Sequence, residues 1–199
     1  MAHLTLRVIR EEHSALSAML RSILLLLAQH RGHGTLPDFG ALRAMLFYVD
    51  EFPEKRHHPK ESTLLFPKLR ARSPLARDIL DRLDVEHGRG EHYIRELEHT
   101  LLAFEMLGEP RRAAFEKAAE TYVDFYLTHM GIEEQQILPL AERVLTEQDW
   151  AELDRAFAAN RDPLTGHEPD TDYRALFTRI VNAVPEPIGF GSAATALRY

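Results

Sequence analysis

The feature that most constrains the fold is a helical motif that occurs twice. His57-x-x-x-Glu61-x-x-x-Leu65-Phe66-Pro67 is matched by His129-x-x-x-Glu133-x-x-x-Ile137-Leu138-Pro139. An earlier Glu-His doublet accompanies each copy: His13 lies 44 residues before His57, and His87 lies 42 residues before His129. A repeat of this length reads as two helical hairpins. Between the motifs, apolar residues recur at steps of three and four. Leu6, Ile9, Leu16, Leu20, Ile23 and Leu27 form the first seam, and Leu80, Leu83, Ile94, Leu97, Leu101 and Phe104 form the third. His13, His87 and His129 occupy seam positions where leucine would be ordinary. The pattern predicts an all-α protein, two hairpins folded into an antiparallel four-helix bundle.

Punctuation sets the boundaries. Asp38, Ser73 before Pro74, and Thr146 read as N-caps. Pro53 and Pro59 predict a kink or restart in the second helix, and Pro139 a break in the fourth. Gly88 and Gly90, costly inside a helix, mark a place where a partner helix or ligand comes close. The bundle is expected over residues 1–145 and a short C-terminal helical extension over 146–184. An extended or partly disordered tail is expected over 185–199.

Composition narrows the chemistry. The chain has 199 residues, 11 histidines, no cysteine and a formal charge of -7. Without cysteine there are no disulfides, thiolate metal sites or thiol redox steps. The acidic balance argues against sequence-independent nucleic-acid binding. The longest apolar run, from Ile23 to Ala28, is too short for a membrane span, and the first residues lack a leader pattern. A cytoplasmic location is expected, with no nucleic-acid or membrane partner and an oligomeric state the sequence leaves open.

Histidine and glutamate four residues apart share one helix face. Alone, such a pair is commonly a surface ion pair, and a lone seam histidine is commonly a hydrogen-bonded core residue. Two inward carboxylates without partners would be costly, so their joint occurrence at matched offsets calls for a cation. Folding the hairpins together brings four imidazoles and two carboxylates to the axis. Nitrogen and oxygen donors without sulfur suit iron or manganese, with zinc also open.

His57-His58-Pro59-Lys60-Glu61 with Leu64-Leu65-Phe66-Pro67, together with His129-Met130-Gly131-Ile132-Glu133-Glu134, resembles the hemerythrin and HHE cation-binding family over roughly residues 1–145. The resemblance implies an up-down bundle around a non-haem diiron centre held by His13, His57, Glu61, His87, His129 and Glu133, with the two glutamates bridging. It implies two iron cofactors and a diatomic ligand or peroxide as the small-molecule partner. The roles it implies are binding or sensing of O2, NO or peroxide. Iron donation to damaged iron–sulfur proteins, or NO- or peroxide-consuming chemistry, is the alternative. A metal-free helical interaction module is a further one.

In oxygen-carrying relatives another histidine follows the third-helix histidine by one turn. Here that position is Glu91, expected on the ligand face. His30 and His33, near the end of the first helix, are further ligand candidates, or cations at a helix end. His58 cannot share the helical face of His57, although a break at Pro59 could turn it inward; a place behind the ligands or in solvent is expected. His92 and His99 are expected on a solvated face, and Tyr126 either lines the pocket or packs in the core.

Overall fold

The computed structural model describes residues 3–183, and the tail expected over 185–199 lies outside them. Among the described residues there are helices and no strands. The first arm is α1 (Leu4–His33), whose buried face carries Leu6, Ile9, His13, Leu16, Leu20, Ile23 and Leu27, the seam expected from spacing. Gly34 ends it in the left-handed region at φ 64, and the Gly34 and Thr35 N–H groups donate to the last carbonyls of the helix.

The second arm starts at α2 (Phe39–Val49), where the Asp38 carboxylate accepts the Ala41 N–H at 3.0 Å. The kink or restart expected at Pro53 and Pro59 takes the form of widened turns. The chain winds on through a π-helical stretch (Asp50–His57), α3 (His58–Lys60), a π turn (Glu61–Leu65) and α4 (Phe66–Arg72). Proline lacks an N–H and crowds the carbonyl four residues back, and a widened turn relieves both without ending the helix.

The third arm begins with a 3-10 turn (Pro74–Ala76) and continues as α5 (Arg77–Leu107); Ser73 makes no side-chain cap. The fourth comprises α6 (Arg112–Ile132), a π turn (Glu133–Ile137) and α7 (Leu138–Val144). The break expected at Pro139 is again a π turn. Both copies of the motif therefore widen at the same place, ending two residues before the repeated proline. Each of α1 and α5 packs against both α2 and α6, which closes an up-down four-helix bundle.

The C-terminal extension adds to this bundle. Helix α8 (Glu147–Phe157) opens with a capping box between Thr146 and Asp149. It buries Trp150, Leu153 and Phe157 in one apolar cluster with Leu6, Ile9, Phe66, Leu80 and Leu138. Helix α9 (Arg174–Ala183) puts Phe177 and Ile180 into the other cluster, with Leu20, Met45, Tyr48 and Phe115. Each of the four arms contributes to both clusters. Along every arm, the polar residues around His13, His57, His87 and His129 fall between them, so a polar layer is sandwiched in the core.

The loop after α8 is anchored by a buried carboxyl. Asp162 accepts the Tyr48 hydroxyl at 2.6 Å and the Leu164 N–H at 2.8 Å. Burial pushes Asp162 from 3.8 up to about 7. The folded state then holds this proton more tightly than the unfolded chain does. Its contribution to stability is full below about pH 4 and is lost as pH rises through about 7. Asp162→Asn is expected to flatten stability against pH across this window. Urea unfolding of both proteins at several pH values checks it, and an unchanged slope would show that another group governs the dependence.

Candidate metal centre

Seven side chains meet in the polar layer, all of them buried: His13, His57, His58, Glu61, His87, His129 and Glu133. Their donor atoms fall into three overlapping groups, each within 4.8 Å: His13 with His57 and Glu61; His58 with His87 and His129; Glu61 with His87 and Glu133. The glutamates link the histidine sets. Glu61 has one oxygen 3.2 Å from His57 Nε2 and the other 3.6 Å from His87 Nε2. Glu133 has one oxygen 3.4 Å from His13 Nε2 and the other 3.3 Å from His129 Nε2. Each carboxylate therefore spans from a two-histidine side to a three-histidine side.

The atoms facing inward are the ones left without partners. Both oxygens of Glu61, both oxygens of Glu133, and His57 Nε2 are buried with no aligned hydrogen bond. Buried carboxylate oxygens normally have one, and leaving them unpaired is costly. A cation between the two sets satisfies all five atoms together. The 3.0 Å separation of His87 Nε2 and His129 Nε2 also fits: two nitrogens at right angles on one ion, with bonds of about 2.1 Å, lie about 3 Å apart. The residues present fit a metal site.

The outward nitrogens are all engaged. Glu12 accepts from His57 Nδ1 at 2.6 Å, Glu86 from His129 at 2.9 Å, Glu54 from His58 at 3.1 Å and Glu134 from His13 at 3.1 Å. Ser62 Oγ lies 2.8 Å from His87 Nδ1. Such outer contacts set the tautomer and ring orientation of a ligating imidazole. Except for Glu54, which holds His58 four residues on, the partners reach across from another helix. Glu12 is next to His13 but holds His57, and Glu86 is next to His87 but holds His129. Asn160, in the loop after α8, donates to the same Glu12 oxygen at 2.9 Å. The sequence reading counted the Glu-His doublets in the repeat without giving the glutamates a role. Their recurrence was the available signal.

Electrostatics follows from the burial. Burial, helped by the neighbouring imidazoles, holds His58 well below its usual range and His87 at about 2, the neutral form that ligates. Burial also works against a charged His129, yet Glu133 and Glu86 outweigh it and pull this group up to about 10. Glu61 is pushed up by burial and by the facing Glu133.

The six core candidates from the sequence are brought together, and three further candidates are not. Glu91 points to solvent with its side chain 59% exposed, paired to Arg95 at 3.0 Å. The inward residue one turn after His87 is Gly90, because α5 buries residues 86, 87, 90 and 94 at this level. His30 and His33 are 17 and 20 residues beyond His13 on one straight helix, about 25–30 Å away along its axis. His30 instead meets the Thr35 hydroxyl at 2.8 Å, and His33 is exposed. His92 and His99 are exposed as expected.

His58 is the correction in the other direction. It is as buried as His57, and its ring stacks on His87 with centroids 4.4 Å apart. An ideal helix would send adjacent residues about 100° apart. The π-helical stretch that ends at His57 changes that step and admits both rings. Gly90 completes the arrangement, since a Cβ there would overlap the Tyr126 hydroxyl and stand 3.0 Å from Glu54 Oε1. Gly90→Ala is expected to lower stability by about 1–3 kcal/mol, the cost of overpacking a closed core. Gly88, with nothing nearby, is the control. Chemical denaturation of both alanine variants checks this; equal midpoints would refute the close approach.

A small, partly open cavity reaches His13 and His57 and touches His58 as well. Its lining includes His13, His57, His58, Leu16, Phe52, Asn160 and Asp162. Its free space is at the lower limit for a single water. Among the described residues no helix is long and apolar enough to cross a membrane.

Among models of known protein families, the Hemerythrin HHE cation binding domain matches residues 4–141. No curated protein and no solved structure matched the chain in the parallel comparisons. The match spans all four arms and takes in every one of the seven clustered residues. The chain belongs to the hemerythrin HHE cation-binding family.

Proposed function

We propose that the protein holds two iron ions bridged by Glu61 and Glu133, and takes O2, NO or peroxide on the side of His13 and His57. The ligand set is His13, His57 and both glutamates on one side, with His58, His87, His129 and both glutamates on the other. The single observation that carries this reading is the division of each imidazole. The outward Nδ1 is held by an acceptor, while the Nε2 atoms of His13, His57, His87 and His129 lie against unpartnered carboxylate oxygens.

When bound, an iron pair supplies reversible one-electron chemistry and an affinity for small oxygen and nitrogen ligands. The chain does the remainder. The unequal count, two imidazoles against three, would leave a coordination position on the His13 side, which the cavity reaches. Leu16 and Phe52 limit its volume and exclude bulk water. Glu12, Asn160 and Asp162 form a polar wall on the same cavity, and such groups accept and donate hydrogen bonds. That wall favours a second reading, turnover of peroxide, over simple reversible carriage.

The test is direct. Protein produced with iron is expected to contain about two ions per chain and to absorb in the visible region when oxidised. Protein that stays metal-free after anaerobic iron loading would overturn the reading. Mixing the reduced protein with O2, NO or hydrogen peroxide then separates the roles. Many turnovers of peroxide identify an enzyme; one stoichiometric, reversible event identifies a binder or sensor.

A further inference from the structure

One buried network is larger than the metal centre requires. Tyr122 and Tyr126 lie one turn apart on α6, each 1% exposed. Both hydroxyls donate to the same oxygen of Glu54, Tyr122 at 3.0 Å and Tyr126 in a shorter contact. The other Glu54 oxygen accepts from His58 Nδ1. The Tyr126 ring lies parallel to His58, centroids 5.5 Å apart at 5°, and 5.9 Å from His129. The two tyrosine rings are 4.8 Å apart. On α5, position 90 gives up a side chain to admit the Tyr126 hydroxyl.

Orienting His58 needs only Glu54. Neither phenol contributes to that bond, and two phenylalanines would fill the same volume without burying hydroxyls. A phenol is hard to oxidise while it keeps its proton. A phenol already hydrogen-bonded to a carboxylate can lose electron and proton together. Here two such phenols share one acceptor, and the nearer is stacked on an imidazole of the proposed metal set. Tyr122 also lies beneath a surface groove of about 260 Å³ lined by Tyr93, Lys117 and Thr121.

We propose that Tyr126 and Tyr122 form a redox relay that carries a one-electron oxidation from the metal centre toward this groove, with Glu54 as the proton acceptor. The inference rests on the iron reading above. Hydrogen peroxide is the oxidant: its O–O bond breaks as two electrons and two solvent protons convert it into two waters. One electron comes from a ferrous ion of the pair and the other from Tyr126, whose phenolic proton passes to Glu54. Tyr122 then reduces the Tyr126 radical. Glu54 returns its proton to Tyr126 and takes the one released by Tyr122, so the radical has moved one turn along α6.

The experiment uses the full chain, iron-loaded and partly reduced, mixed with hydrogen peroxide and frozen for electron paramagnetic resonance. Metal content is measured first. The expected result is a tyrosyl signal that narrows when the protein is made with ring-deuterated tyrosine. Tyr126→Phe is expected to abolish it with iron content unchanged, because the ring packing is kept. Tyr122→Phe is expected to leave a signal confined to Tyr126. Wild-type protein with its full iron and no tyrosyl signal overturns the relay and leaves the metal reading standing. So does a signal undiminished in the double variant. Failure to take up iron overturns both, and is seen before peroxide is added.

Discussion

Removing the metal is expected to lower the melting temperature by about 15–30 °C. An ion present at about a thousand times its dissociation constant adds about 4 kcal/mol, and for a chain of this size each kcal/mol moves the midpoint about 2–4 °C. Two ions give the range. The molecular reason is on the inner face of the centre, where four carboxylate oxygens are buried without aligned partners. In the double variant Glu61→Gln with Glu133→Gln, the bridging charges are gone and the expected responses separate. Iron no longer raises the melting temperature. The metal-free variant is expected to melt lower than the metal-free parent at neutral pH, because His129, drawn up to about 10 by Glu133 and Glu86, loses one of its two charged partners. Thermal melts with iron and with chelator measure both effects. A parent indifferent to chelator, or a variant still stabilised by iron, would refute the assignment of the bridges.

His58→Ala is expected to reduce bound iron from about two ions per chain to about one, while Glu91→Ala leaves it unchanged. His58 is one of three imidazoles on its side, buried, stacked on His87 and held by Glu54. Its loss takes away a donor of that side and the ring that packs against His87, whose position it supports. Glu91 makes only an exposed pair with Arg95, the kind worth a few tenths of a kcal/mol. Glu54→Gln is the intermediate case. It replaces a charged acceptor behind His58 and is expected to weaken iron binding by about 10–100-fold. Metal analysis of the three purified variants measures all of this. Full iron in His58→Ala, or loss of iron in Glu91→Ala, would reverse the two roles.

What was legible in the sequence was local. His57 with Glu61 and His129 with Glu133 are four residues apart, so one turn of helix puts each pair on one face whatever the rest of the chain does. The seams of α1 and α5 follow from the same period, and His13 and His87 came with them. The caps at Asp38 and Thr146 depend on contacts three residues away and were equally readable.

What was not legible depends on departures from the ideal helix or on distant partners. Glu91 and His58 were both assigned by counting turns of regular α-helix. For Glu91, positions three and four after His87 are both one turn on, and only the packing of Tyr126 against Gly90 shows which faces in. For His58, the count itself fails, because prolines widen the turns around it. His30 keeps the seam spacing but lies too far along a straight helix to reach the centre.

By itself, then, the sequence determined the helical period and the residue types available to a metal, which are properties of neighbours within a turn or two, and its repeat indicated the two hairpins. Tertiary structure alone decided which side chains share the polar layer and which acids hold His13, His57 and His129 from another helix. Glu12 holds His57, and Glu86 holds His129, across the gap between helices. Those pairings depend on how four arms pack around one polar layer, and no spacing within a single helix encodes them.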